Sequence, residues 1–263
     1  MKFIDSHCHL NLIEHDLNDV INRAKDAGVY RMVVPGINLE TSLTAIRMAE
    51  SFPEVYAAVG IHPHEVAKVT PKDIEEISRL ALHPRVVAIG EIGLDNHFPP
   101  FDMSSQKELL NEMIDLAIRI NKPVILHSRD AFSDLLELVT SRNAFLGQAS
   151  TNQTSLRGVF HMFEGNVEES LLVKQMGFYI GIGGNVTFKN NNRVQEIVKK
   201  LDLANLLLET DYPYVSPHPF RGKINEPSRI PVIANKVAEI LQSQVELVAD
   251  TTTSNTKLLF NLD

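Results

Sequence analysis

The chain has 263 residues, 44% hydrophobic content, a formal net charge of −8 and a single cysteine. That length suits one large α/β barrel or two ordinary domains, and one cysteine excludes a disulfide scaffold and fits a reducing compartment. The acidic balance argues against nonspecific coating of nucleic acid, but it leaves room for a nucleic-acid substrate where bound divalent ions change the local field.

From the N-terminus, MKFIDSHCHL enters a strand at once and has no apolar core of signal-peptide length. No later run approaches the roughly 18 apolar residues of a membrane span. A soluble, cytoplasmic protein with no membrane or obligate protein partner is the expectation. Strands are predicted at 2–7, 30–35, 55–61, 86–91, 123–127, 157–162, 178–182 and 205–210. Helical patterns fill 16–27, 39–51, 71–82, 104–120, 130–142, 166–176 and 190–201, with more helix from 228 onward. Thr70-Pro71 reads as an N-cap followed by proline at the first helical position, and Ser104 or Ser105 as the cap before QKELLNEMIDLAIRI. Gly28 and Gly177 stand where helices should stop. The polar stretch 142–158 reads as a long, mobile surface loop.

Eight strands each followed by helix is the count of a single (β/α)8 barrel, and the strands are continuously apolar, as parallel strands buried on both faces require. A doubly wound open sheet is the competitor, but it rarely assembles polar groups from five strand ends. No Pro/Ser/Gly-rich linker divides the chain, so one domain spanning 1–263 is expected.

Polar ligand types close the strand-like segments: His7 and His9 in FIDSHCHL, Glu91 in VVAIGEIGLD, His127 in PVILHSRD, His161 in RGVFHMFEG and Asp211 in LLLETDYP. Imidazoles and carboxylates together suit a borderline or hard divalent ion better than a thiolate-seeking one. His7 and His9, two residues apart on a strand, point to the same side, and Cys8 points to the other as a small buried hydrophobe. Asp5 is a candidate acceptor orienting one of these rings. A hydrogen-bonded pair of core histidines is the bland reading of the motif alone. The repetition at successive strand ends favours a two-metal hydrolase, with Glu91 bridging and Asp211 both ligand and proton acceptor.

His62 and His64 form a second HxH, read as substrate-lining or as support for the ligands. Asp95 is expected to line the same mouth. Arg129 is placed to meet an anion, its alternative being a salt bridge to Asp130. Arg221 and Lys223, flanking Gly222 beyond Asp211, are candidate phosphate clamps because phosphate sites in such barrels often use the loops after strands seven and eight. Their bland reading is a solvated loop. His15, His83, His97 and His218 lack supporting context and read as solvated.

Taken in order, DSHCHL, VGIHPH, GEIGLD, KPVILHSRDA, GVFHMFEGN, ETDYPYVSPHPFRGKINEP and SNTKLLFNL resemble the TatD family of metal-dependent deoxyribonucleases, within the amidohydrolase-like barrels. The resemblance covers nearly the whole chain. It implies a (β/α)8 fold, a two-metal site and hydrolysis of DNA phosphodiesters, with 3′-to-5′ exonuclease activity in some members. It assigns one ion to His7, His9 and Asp211, the other to His127 and His161, and the bridge to Glu91. The ions would be Mg, Mn or Zn, and the substrate single-stranded DNA or 3′ ends. Asn11, Asn96-His97, Met162 and Glu164 depart from the family's usual residues without removing a ligand, which bears on substrate preference. The rival reading is an amidohydrolase acting on an amide or ester, since the same ligand order supports that chemistry. A non-catalytic binding barrel would be expected to have lost a ligand, and none is lost.

Overall fold

The computed structural model describes residues 1–12, 16–97, 99, 102–148 and 155–263. Eight parallel strands run in the order β1 to β8, each neighbour hydrogen-bonded to the next. They are β1 (Phe3–Asp5), β2 (Val29–Pro35), β3 (Val55–Val59), β4 (Val86–Asp95), β5 (Val124–Arg129), β6 (Gly158–Phe160), β7 (Tyr179–Ile182) and β8 (Leu206–Leu208). Between them lie α1 (Leu17–Asp26), α2 (Leu39–Ser51), α3 (Pro71–Leu80), α4 (Met103–Arg119), α5 (Phe132–Gln148), α6 (Val167–Gln175) and α7 (Asn192–Leu201). Two helices, α8 (Ile230–Leu241) and α9 (Val245–Phe260), follow β8. The circle is drawn together by Ser6 N donating to Leu208 O (3.0 Å) and Asp211 N donating to His7 O (2.9 Å). The architecture is the (β/α)8 barrel that the strand count predicts.

Why the strands lack alternation is visible in the core. Ile4, Val33, Tyr56, Ala58, Ala88, Ile125, Val159 and Leu207 form one apolar cluster, closed by Leu259, Phe260 and Leu262 of the C-terminal segment. Their strand neighbours, such as Phe3, Met32, Val34, Ala57, Ile89, Leu126, Phe160 and Leu208, belong to a second, larger cluster shared with the helices. Both faces of each strand are dry, so both must be apolar. Helix starts follow local chemistry. Asn38–Thr41, Thr70–Asp73 and Asn166–Glu169 are reciprocal capping boxes, and Pro71 opens α3. Gly28 and Gly177, at φ of 87° and 76°, follow the ends of α1 and α6.

Several boundaries differ from the sequence expectation. Asp102 caps α4, accepting from Ser105 N (3.0 Å), so the helix begins one or two residues before the serines. The predicted loop 142–158 is helical through Gln148, because the polar residues lie on a helix already under way; 149–154 fall outside the described residues. His15 also lies outside them. β1 stops at Asp5, short of both histidines, and β4 continues past Glu91 to Asp95.

The extension of β4 depends on Gly93, which pairs with His127 of β5 and holds φ at 155°. A Cβ there would lie 2.0 Å from His127 O. Gly93→Ala is therefore expected to cost about 3 kcal/mol through overpacking and backbone strain. For a chain of this size that is a fall in Tm of roughly 6–12 °C, read by thermal circular dichroism. An unchanged Tm would show that β5 yields to the methyl group.

Candidate metal centre

The ligand-type side chains meet at the C-terminal mouth of the barrel, delivered by strand ends and the turns beyond them. His7 and His9 lie past β1 on backbone held by Cys8 N to Val33 O (3.1 Å) and His9 N to Tyr212 O (2.8 Å). Their rings nonetheless converge, with the Nε2 atoms 3.0 Å apart. Cys8 is fully buried, its Sγ 3.7 Å from Val33 O, which is the small hydrophobe expected of it. Glu91 sits inside β4 and presents one oxygen to each half of the site. Its Oε2 is 3.5 Å from His7 Nε2 and 3.3 Å from His9 Nε2. Its Oε1 is 2.8 Å from His127 Nδ1 and 3.8 Å from His161 Nε2. Asp211 Oδ1 lies 3.8 Å from His7, 3.7 Å from His9 and 3.8 Å from His161. Asp211 holds φ at 56°, a left-handed conformation that aspartate tolerates better than most residues.

These spacings fit a bound cation. Four ligands at the usual 2.0–2.2 Å from a tetrahedral ion lie about 3.4 Å from one another. The edges His7–His9, His7–Glu91, His9–Glu91, His7–Asp211 and His9–Asp211, at 3.0 to 3.8 Å, bracket that figure. His7, His9 and Asp211 form one compact donor group, and His7, Glu91 and His161 another. The donor set and its spacing therefore suit divalent metal, with His7 common to both groups and Glu91 facing histidines on either side.

Around the donors is a layer that fixes their orientation. Glu209 Oε1 lies 3.2 Å from His161 Nδ1, close enough to pair its charge though off the hydrogen-bond line, and accepts from Met162 N at 2.6 Å. That leaves His161 Nε2 facing the centre. Asp95 Oδ2 lies 3.0 Å from His127 Nε2 and 2.9 Å from His64 Nε2, while its backbone is clamped by Gln106. Carboxylates behind imidazoles set the tautomer that ligates metal. Asp5 acts differently from the expectation. It accepts from the backbone N–H groups of His7 (3.3 Å) and Thr210 (3.0 Å), tying the first ligand loop to the last, and does not touch either ring.

Titration follows from this crowding. Burial raises Glu91, but the imidazoles of His7, His127 and His9 that face it outweigh burial and hold the carboxyl well below its usual range. Burial lowers His127, yet its bonds to Asp95 and Glu91 prevail and raise it to about 9. His161 is likewise depressed by burial and then lifted to about 10 by the charges of Glu209 and Asp211. Asp211 is raised to about 6 by burial, partly offset by His161 and His9. His7 is pushed well below its ordinary value by burial and by His161. Buried acids and bases bunched this tightly mark a functional site.

His62 accepts from His64 N at its Nδ1 (3.2 Å), which assigns the proton to Nε2. His62 Nε2 lies 3.9 Å from Glu91 Oε1. His62 thus lines the site as a donor, although His62, Asp95 and His127 also lie close enough together to form a third group of ligand-type atoms. His64 lines the same cavity, a cleft of about 590 Å³. Arg129 lines it too, while Asp130 turns its carboxylate to His97 Nδ1 (2.6 Å). Met162 and Glu164, where the sequence departs from the family pattern, are wall residues. Asn11, another departure, supports the loop by donating to Pro35 O and Thr41 O. Arg221 and Lys223 are not part of this wall: both are exposed, and Arg221 borders a neighbouring depression. Sequence reasoning missed Arg193, Asn185 and Tyr214, which also line the cleft. Nothing in NNNRVQ singles out one arginine on a helix, so no local signal was available for Arg193.

The chain is similar to known proteins over nearly its whole length. The family model of TatD related DNases matches residues 4–261. The chain is 40% identical to the uncharacterized metal-dependent hydrolase YabD of Bacillus subtilis over 98% of this chain and 99% of that one. It is 33% identical to YjjV of Escherichia coli, also described as an uncharacterized metal-dependent hydrolase, over 99% and 98%. The crystal structure of YjjV, a TatD homologue, superposes with a TM-score of 0.91 at 31% identity over 99% of this chain and 98% of that chain. The phosphotriesterase homology protein of E. coli, crystallised with phosphate in its active site, has a TM-score of 0.64 at 13% identity over 98% of both chains, a likeness of fold alone.

Glu91→Gln should remove activity and at least one bound ion without unfolding the barrel, since a neutral amide bridges dications poorly and the apolar run before it is unchanged. Metal content by mass spectrometry and far-ultraviolet circular dichroism check this together. Full occupancy with near-normal turnover would sink the bridging role.

Proposed function

The chain belongs to the TatD-related DNase family of metal-dependent hydrolases, and from that premise we propose that it is a two-metal phosphodiesterase that hydrolyses DNA. One observation carries the reading. Arg129 and Arg193 line the same cleft as Glu91, His127, His161 and Asp211. A phosphodiester is an anion with two free oxygens, and a guanidinium offers a planar fork to such a group. Two cations in the lining of an acidic cleft suit an anionic substrate better than a neutral amide. Preference for single strands and 3′ ends rests on the family resemblance.

His7, His9 and Asp211 would hold one ion, His127 and His161 the other, with Glu91 between them. Ions bound there supply Lewis acidity to a phosphoryl oxygen and bring the pKa of a water from about 16 toward 7. Arg129 and Arg193 bind and orient the phosphate, and the Nε2–H of His62 donates to one of its oxygens. Asp211, whose Oδ1 faces His7, His9 and His161 alike, takes the proton from the attacking water. Glu209 and Asp95 keep His161 and His127 in register during these steps. The histidine-rich set favours Zn or Mn, whereas nuclease chemistry often uses Mg.

The test is metal-stripped protein reloaded separately with Mg, Mn and Zn, assayed on end-labelled single-stranded DNA and on a panel of amides and carboxylic esters. Shortening of the DNA from its 3′ end with at least one ion is the expected result. Amide or ester turnover with intact DNA would replace the nuclease reading with that of an amidohydrolase.

Asp211→Asn separates ligation from proton transfer. Turnover should fall by about 10²-fold or more, the usual scale of a lost general base, and by more than any change in KM. Steady-state kinetics on DNA decide it: a variant altered in KM alone would show that Asp211 only positions substrate.

A further inference from the structure

Next to the metal cleft lies a second depression, of about 490 Å³, to which no role has been given. Its wall is Phe188, Lys189, Asn190 and Asn191 from the segment after β7, with His218 and Arg221 from the loop after β8. Asn185 and Arg193 of the first segment, and Val215 of the second, line the metal cleft instead. Residues from the same two segments therefore line both cavities.

The chemistry of the two cavities differs. The metal cleft is rich in acids, among them Glu65, Glu91, Asp95, Glu164 and Asp211. Among the described residues the depression has no acidic side chain in its lining, although the chain as a whole carries a net charge of −8. It presents two cations, Lys189 and Arg221, two amides and one aromatic ring. The Arg221 guanidinium lies 4.3 Å from the centroid of the half-buried Phe188 ring. The guanidinium lies over the ring, so the two form a stack topped by a planar cation, a surface on which a base can stack while the charge meets the phosphate beside it.

The platform is also built firmly. His218 N donates to Thr187 Oγ1 at 2.8 Å, joining the two loops. Buried Asn225 donates to Thr210 O at 2.6 Å, and Ser216 Oγ donates to Lys223 O at 2.6 Å, holding both ends of the turn that carries Arg221. Gly222, at φ of 83°, lets that turn close with open space around it. Ordering costs on binding are correspondingly small.

We infer that the Phe188–Arg221 platform, with Lys189, is a strand-binding subsite that holds a single-stranded polynucleotide one or more nucleotides away from the bond being cut. The inference rests on the phosphodiesterase reading for its direction: a strand whose end lies in the metal cleft would continue along the segments that line both cavities. It also gives Arg221 a place that the metal cleft does not, since the scissile phosphate falls to Arg129 and Arg193.

Binding and chemistry separate the two ideas. Wild-type protein and a Phe188→Ala/Arg221→Ala variant would be titrated by fluorescence anisotropy with nuclease-resistant phosphorothioate thymidylates of three and twelve residues, at several salt concentrations. Hydrolysis of bis(p-nitrophenyl) phosphate would be measured alongside. Wild type should bind the longer strand more tightly, and the variant should lose about tenfold or more of that affinity, the scale of one stacked base. Its salt slope should fall by about 0.7, the single-strand value for one phosphate contact. Cleavage of the small diester should be unchanged. Equal affinity and slope in the two proteins, or no length dependence in wild type, would overturn the subsite. So would equal loss on the small diester, which would put these residues at the chemistry. Failure of wild type to cleave any phosphodiester, with strand binding intact, would strike the proposed function and leave the subsite standing.

Discussion

The structure depends on concentrating like donors in a place without water. His7, His9, His161, Glu91 and Asp211 are all buried, and the nearest of their polar atoms are 3.0 to 3.8 Å apart. Buried charges cost several kcal/mol each unless they are paired. Glu91 meets that demand in part by facing imidazoles on both sides, and a cation among the donors meets the rest. The dry barrel interior beneath, from Ile4 to Leu207, supplies the opposing apolar burial at about 1.5–3 kcal/mol per large side chain. The layer of uninterrupted hydrophobes is thus what allows a polar mouth to persist.

That mouth must also be closed as a ring, because its ligands come from the first and last loops of the chain. Asp5 does this. Its carboxylate accepts from the N–H groups of His7 and Thr210, one residue before Asp211. Burial raises Asp5 to about 8 even though bonds from Thr210 and His7 pull it down. A group so placed belongs to the frame of the site and not to its chemistry, which is why its reading as a ring-orienting acceptor is replaced by one of backbone bridging. Glu209 and Asp95 take the orienting role at His161 and His127.

Much of this was legible in the residues, and the reasons are physical. Continuous apolar runs gave strand positions because burial on both faces leaves no other pattern, and caps such as Thr70-Pro71 act within one turn. The convergence of His7, His9, Glu91, His161 and Asp211 was legible because imidazole and carboxylate at the end of an apolar run have few other uses. Boundaries were less legible. β1 stops before His7 since the ladder with β2 ends at Asp5, and the turn beyond is held largely by tertiary bonds to Val33, Leu208, Asp211 and Tyr212. Cations were least legible of all. Arg193 is one basic residue on an amphipathic helix, and Arg221 stands beside Gly222 as a clamp would, yet it faces Phe188. Which cavity a long side chain enters is decided by loop packing that no local pattern encodes.

The division of charge between the two cavities follows from the same constraint. A metal cage needs carboxylates, and carboxylates repel a polyanionic substrate until cations neutralise them. Adding lysines and arginines inside the cage would compete with the metal for the same oxygens. Cations proposed to meet substrate therefore have to stand apart from the donors, as Arg129 and Arg193 do in the cleft lining and Lys189 and Arg221 do in the neighbouring depression. A net charge of −8 is compatible with an anionic substrate on these terms. On the proposed reading, steering over the whole surface is given up, and recognition would fall to Arg129 at the end of β5 and to the segments after β7 and β8.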